Sequence, residues 1–409
     1  MSSVELSASQ KKLIKNAVEK NGISNATITA DVGSIKGDNY LGIIHTVIAR
    51  ADKGDEGLHF ILKSAPSNEH FRKRAKINKL FKHEAYLYET AIGSIQEFQQ
   101  KFNLKQPFTG AAKYYGCILE DGNESILMEN LKEYGYNLWE RTKPMDDAHI
   151  TAVFTEYARF HAASMAFRHK EPEKFNNITK EIDTIPAQAK EYENTTQFLK
   201  EFIGACFTAG SGAVAGNEKA TKALERLKEI IIDVFEACQK VKQETVVILH
   251  GDCWCNNILF KYKDETKTKP SKVCFIDWQL SRLGSPIIDL AYFFFCATSK
   301  ETLPNLNQYL KTYHDTLSEY LRDCDCDPEE IYSFNSFMKD WKKLCMRGIC
   351  VSLIMIKVML SDSEEAPDLT KENGGSFLQA LTNFDTAKEP AYKKRVCDIL
   401  EFMTDNGYF

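Results

Sequence analysis

Apolar residues at Leu6, Leu13, Ile14, Ala17 and Val18 recur at helical spacing and predict an amphipathic opening helix. The pattern then changes to strict alternation through T-I-T-A-D-V, which predicts a strand. Two β-rich runs, 40–50 and 58–65, flank A-D-K-G-D-E-G, whose glycines and aspartates favour a turn, so they read as a hairpin. Residues 69–95 read as one long helix. Two further short strands, 113–119 and 124–128, bracket the turn E-D-G-N. The first 130 residues thus predict a mostly antiparallel sheet with one long helix.

After Asn130 the texture is helical, at 146–169, 185–207, 217–242 and most of 301–360. Two short apolar strands interrupt it, V-V-I-L before His250 and K-V-C-F-I before Asp277. Small residues at 209–216 and acidic ones at 361–368 read as connecting loops. The resulting class is α+β: a small antiparallel-sheet N-lobe (1–130) and a larger, mostly helical C-lobe (131–409). The cleft between them is the expected ligand site.

Composition narrows the function. With 52 basic and 57 acidic side chains the net charge is −5, so there is no basic field to attract nucleic acid. Twelve scattered cysteines fit a reducing compartment better than a disulfide framework. The polar start lacks the apolar core of a secretory signal. The most apolar stretch, 349–360, is shorter than the ~18 residues of a membrane span. The expectation is a cytoplasmic protein without nucleic-acid or membrane partners.

The chemistry concentrates in H-G-D-C-W-C-N-N-I-L-F (250–260), flanked by strands. It holds Asp252 and Asn257, and Asp277 follows at the end of the second strand in F-I-D-W-Q. A carboxylate, an amide and a second carboxylate on two adjacent strand ends form a hard oxygen set suited to Mg²⁺ sharing its shell with phosphates. Zinc is disfavoured, because Cys253 and Cys255 straddle Trp254 and no second Cys/His pair lies near. Asp289, alone in the apolar run after Pro286, needs buried partners; it is expected to hold the 250–252 backbone through N–H groups. His250 is expected to brace the same backbone.

H-x-D-x-x-x-x-N followed by a strand-terminal Asp resembles the catalytic loop and metal aspartate of protein and small-molecule kinases. H-G-D-x-W-x-x-N is similar to the choline kinase and aminoglycoside phosphotransferase group of the protein-kinase-like fold. Together with I-D-W-Q, I-I-D-L-A-Y-F-F-F and F-H-A-A-S-M-A (160–166), the chain resembles the ecdysteroid kinase-like (CHK kinase-like) family of arthropods. That resemblance implies ATP and Mg²⁺ as cofactors. It makes Asp252 the group that orients the acceptor hydroxyl and takes its proton, and Asn257 and Asp277 the metal ligands. It makes Lys63, in H-F-I-L-K-S-A, the lysine on the α/β-phosphates, with Glu84 as its ion-pair partner. The loop G-S-I-K-G-D-N-Y-L-G, with Gly37, Asp38 and Asn39, would approach phosphate, although it is not G-x-G-x-x-G. Glu129, Asn130 and Leu131 stand where a kinase hinge would meet adenine.

Three classes compete: a small-molecule phosphotransferase, a protein kinase and a nucleotide-binding pseudokinase. W-Q-L-S-R-L-G-S-P after Asp277 leaves no room for the activation segment of a protein kinase. A pseudokinase would be expected to lack one of Lys63, Asp252, Asn257 or Asp277, and all four are present. The resemblance implies an alcohol acceptor of the steroid type, with Phe293, Phe294, Phe295, Trp341 and the helix at 349–360 as candidate apolar lining. Phenolic or glycosidic xenobiotics and cationic acceptors of the choline or aminoglycoside kind stay open.

Overall fold

The computed structural model describes residues 4–33, 42–51, 57–182, 195–240, 243–362, 365 and 386–409. Gly37, Asp38 and Asn39, the hairpin turn at 52–56, the first part of the 185–207 helix and most of the 361–368 run lie outside them.

Helix α1 (Ala8–Lys20) starts with a capping box, Ser7 and Gln10 bonding each other's backbone. It lays Ile14, Ala17 and Val18 on the sheet. The strands are β1 (Thr27–Val32), β2 (Ile43–Arg50), β3 (Leu58–Ser64), β4 (Tyr114–Ile118) and β5 (Ser125–Glu129), in the antiparallel order β1-β2-β3-β5-β4. Alternation buries Val47, Ala49, Phe60, Leu62 and Leu127 against α1.

The long helix expected at 69–95 is broken. It runs as α2 (Glu69–Ala75), α3 (Ile77–Tyr86), a π-type turn (Leu87–Ile92) and α4 (Gly93–Gln99). The break is at Lys76, in the left-handed region at φ 52°. Buried Glu124 pins both sides of it, accepting Arg72 at 2.8 Å and Asn78 at 3.0 Å. A tertiary anchor thus overrides a locally helical pattern and redirects α3 toward β3.

The C-terminal body is mostly helical: α5 (Asp147–Lys170), α6 (Pro172–Ile182), α7 (Thr195–Val214), α8 (Glu218–Gln239), α9 (Ile287–Ala297), α10 (Leu306–Asp323), α11 (Pro328–Tyr332), α12 (Phe334–Leu344), α13 (Met346–Leu360) and α14 (Glu389–Asp405). Its apolar interior is continuous with that of α3, the π-type turn and α4. Among the described residues it holds more than the two expected strands. β7 (Val247–Leu249) pairs with β10 (Arg282–Gly284), while β6 (Tyr136–Leu138), β8 (Ile258–Tyr262) and β9 (Pro270–Phe275) form a second small sheet. These strands of three to six residues are too short to announce a period.

Two loop and lining expectations are overturned. Residues 209–214 are the last turns of α7, because a Cβ at Gly210 would already lie 3.0 Å from Leu353 and 3.3 Å from Leu224; the small residues let helices close up. Phe293, Phe294, Phe295 and Trp341 are fully buried, Phe294 and Phe295 of α9 against Trp341 of α12 and Phe293 against Phe154 of α5, so they are core and line no acceptor pocket. Where α9 crosses α13, a Cβ on Gly348 would meet the Ala291 backbone at 2.4 Å.

Candidate active site

Strand β3 carries Lys63 to the cleft, buried to 2% exposure beside α3. Its Nζ donates to Glu84 Oε2 at 2.7 Å and to Asp277 Oδ1 at 2.8 Å. Burial alone would lower the ammonium, but the charges of Asp277 and Glu84 outweigh it and hold it above its ordinary value. Burial and the nearby Asp277 charge raise Glu84, with Lys63 opposing. Gly42 passes so close that a Cβ there would sit 3.1 Å from Lys63 Cε, so that position favours glycine.

The loop after β7 turns at Gly251, φ +86°, where a Cβ would fall 2.1 Å from the Leu280 carbonyl oxygen. Asp289 accepts the N–H groups of His250 (2.7 Å) and Gly251 (3.1 Å). Burial works against its charge; the hydrogen bonds from the His161 side chain and the His250 backbone prevail and hold its carboxyl below the ordinary value. His250 Nε2 bonds the Ile276 carbonyl at 2.9 Å, and its Nδ1 accepts the Asp252 N–H at 3.2 Å. Burial lowers its pKa, so it is the neutral imidazole, which suits a brace.

Asp252 is half-buried, with both carboxylate oxygens engaged. Asn257 Nδ2 donates to its Oδ2 at 2.9 Å and to its carbonyl at 3.1 Å, and the Tyr292 hydroxyl donates to its Oδ1 at 3.1 Å. Burial and the charge of Asp277 push its carboxyl up to about 7, against the bonds from Tyr292 and Asn257. The Asn257 carbonyl accepts the Ile276 N–H at 3.0 Å, which brings it beside Asp277.

Asp277 stands in the left-handed region at φ 66°, a conformation that costs a non-glycine residue of order 1–3 kcal/mol. The short turn Trp278–Leu280 follows it. The three polar residues therefore do not share two adjacent strand ends as expected. Asp252 follows β7 in one sheet, whereas Asn257 precedes β8 and Asp277 follows β9 in the other. The Asn257 amide on Asp252 and the bond between His250 and the Ile276 carbonyl bring the two sheets together.

These residues fit a magnesium ion by donor chemistry. The Asn257 amide hydrogens are turned to Asp252, which leaves its Oδ1 with the Asp277 carboxylate as hard oxygen donors. Among the described residues no group of three or more His, Cys, Asp or Glu could hold a metal ion, and Cys255 is a thiol pushed up to about 12 by burial.

At the end of β5 the Glu129 N–H is spent on Lys113 (2.9 Å) and the Asn130 N–H on His59 (3.1 Å). Asn130 also caps the next turn, its side chain accepting the Lys132 N–H. The Glu129 carbonyl and the Leu131 N–H take no part in these bonds. Two surface hollows, about 900 Å³ between α1 and β1 and about 380 Å³ between α12 and α14, share no residue with this cleft.

Sequence reasoning missed Tyr292, His161 and His83. Tyr292 lies three residues after Asp289, hence on the same face of α9. His161 bridges Asp289 (3.3 Å) to the Tyr313 hydroxyl (2.9 Å). His83 bonds the Ser281 carbonyl at 3.0 Å and precedes Glu84. Their signal was a polar residue inside an apolar helical stretch.

The chain has three likenesses to known proteins. The chain is 30% identical over 95 residues to a 4-hydroxytryptamine kinase of Psilocybe cyanescens, a match covering 22% of this chain and 26% of that one. A mutant aminoglycoside 2′-phosphotransferase in complex with GDP aligns over 97% of this chain and 98% of its own, at 11% identity and a TM-score of 0.39. The profile of the ecdysteroid kinase-like family matches residues 36–326. Since that span is well over half of the chain and includes Lys63, Glu84, Asp252, Asn257, Asp277 and Asp289, the chain belongs to the ecdysteroid kinase-like family.

Proposed function

We propose that this protein is an ATP-dependent kinase of a small-molecule alcohol, with an ecdysteroid-type steroid as acceptor. The observation that carries the reading is the convergence in one cleft of Lys63, held by Glu84 and Asp277, with Asp252, held by Asn257 and Tyr292. Family membership supports the kinase and the acceptor class.

In this reading residues 1–130 carry the nucleotide, its adenine against Glu129, Asn130 and Leu131 and its phosphates near Lys63 and the Gly37–Asp38–Asn39 loop. Residues 131–409 carry the acceptor. Asn257 and Asp277 would hold Mg²⁺, which supplies charge neutralisation on the phosphates. Asp252 orients the acceptor hydroxyl and takes its proton as that oxygen bonds the γ-phosphorus and the bond to ADP breaks. The rate comes chiefly from this positioning and from fixed charge. His250 and Asp289 keep the loop in place. We propose the reducing cytosol as its compartment, in line with twelve free thiols.

A phenolic acceptor is a second reading, favoured by the stretch in common with 4-hydroxytryptamine kinase. Mass spectrometry of reactions with ATP, Mg²⁺ and panels of ecdysteroids, phenols, glycosides, choline and aminoglycosides discriminates. Phosphate on the steroids is expected. Phosphate confined to the cationic compounds would reject the steroid reading and leave the kinase chemistry standing.

A further inference from the structure

The turn that carries Asp277 is held at both ends by two separate elements. At its start, Asp277 is tied to α3 through Lys63 and Glu84. At its finish, the Ser281 carbonyl accepts the Nε2–H of His83, the residue before Glu84 on α3, at 3.0 Å in a buried bond. The loop after β7 grips the same two ends. His250 Nε2 bonds the Ile276 carbonyl at 2.9 Å, and the Ser281 hydroxyl donates to the His250 carbonyl at 3.2 Å. Between these ends the backbone passes through the left-handed conformation of Asp277, and strain of that kind persists only where the surroundings over-determine it.

We infer that His83 is a positioning residue: with Glu84 it clamps the Asp277 turn to α3, so that α3, this turn and the catalytic loop form one preset unit that does not swing apart between nucleotide-binding cycles. The inference rests on the kinase reading for its ligand, magnesium-ATP, but not on which alcohol is phosphorylated. His83 touches neither nucleotide nor acceptor in this account; it acts through the backbone that carries Asp277. Burial pushes its imidazole down to about 4, so at neutral pH the bond is that of an uncharged N–H donor. A single side chain that keeps one N–H at the same reach therefore suffices to replace it.

The experiment compares wild type, His83→Leu and His83→Gln by calorimetric titration with magnesium-ATP, alongside hydrogen exchange of residues 276–282. Loss of a buried hydrogen bond predicts roughly tenfold weaker nucleotide binding in His83→Leu, with faster exchange across the turn. His83→Gln, which keeps an N–H donor, should recover most of both. If His83→Leu does not fold, His83→Ala, which also removes the donor to the Ser281 carbonyl, carries the same expectation of weaker binding and faster exchange. Unchanged affinity and exchange in a folded His83→Leu overturns the inference, as does a His83→Gln no better than His83→Leu. Wild type that binds magnesium-ATP but phosphorylates no alcohol would instead overturn the kinase reading alone, with the clamp still decided by the variants. Wild type that binds no magnesium-ATP would overturn both.

Discussion

Lys63 Nζ lies 2.8 Å from Asp277 Oδ1, although 214 residues separate them. One lysine thereby joins the sheet, α3 and the metal-ligand candidate of the C-terminal body. Removing it leaves Glu84 buried with no cation. Lys63→Met is therefore expected to abolish magnesium-ATP binding and to destabilise the fold by about 3–5 kcal/mol. The double variant Lys63→Met/Glu84→Gln should regain stability but not binding. Urea denaturation beside calorimetry checks both, and tight ATP binding by Lys63→Met would contradict the assignment.

Asp277→Ala should weaken the dependence of nucleotide binding on Mg²⁺ while leaving the fold intact, since its carboxylate is a candidate ligand and its strained backbone is relieved no further by alanine. Titration of ATP with and without Mg²⁺ reads this. A magnesium effect equal to that of wild type would exclude Asp277 as a ligand.

Asp252 also predicts a pH dependence of stability. Its folded pKa, about 7, lies above the ordinary 3.8, so the folded state binds more protons between these values. Stability from this group is present at low pH and is lost as pH rises through 7. Asp252→Asn should consequently raise the melting temperature relative to wild type at pH 8 more than at pH 5. An equal shift at both values would show that the charge is not the cause.

Tyr292→Phe removes one of the two side-chain donors to Asp252 and little else, because the ring stays buried. A stability loss of about 1 kcal/mol is expected, together with a lower turnover and an unchanged KM for ATP. If KM for ATP rises while turnover holds, Tyr292 acts on the nucleotide instead.

Much of the fold was legible because long periods are explicit: α1, α5, α8 and the five N-terminal strands follow from spacing alone. The unread parts have tertiary causes. Nothing local marks Lys76 as a break, since Glu124 creates it from some fifty residues away in sequence, and 209–214 look like a loop until Leu353 and Leu224 are packed against them. The candidate residues Asp252, Asn257 and Asp277 were legible from their spacing and Asp289 as a polar position in an apolar run. Their arrangement was not, because the linkage through Ile276 and the donors from Tyr292 and His83 depend on how two small sheets and two helices meet.

The most direct test of the account is phosphoryl transfer by wild type and Asp252→Asn side by side, with ATP, Mg²⁺ and an ecdysteroid, read by mass spectrometry of the steroid and calorimetry of ATP. The account predicts a steroid phosphate ester from wild type, turnover lower by roughly 10²–10⁴ in Asp252→Asn, and nearly equal ATP affinity in the two proteins. Undiminished turnover in Asp252→Asn, or ATP bound by wild type with no phosphate on any alcohol, would contradict it.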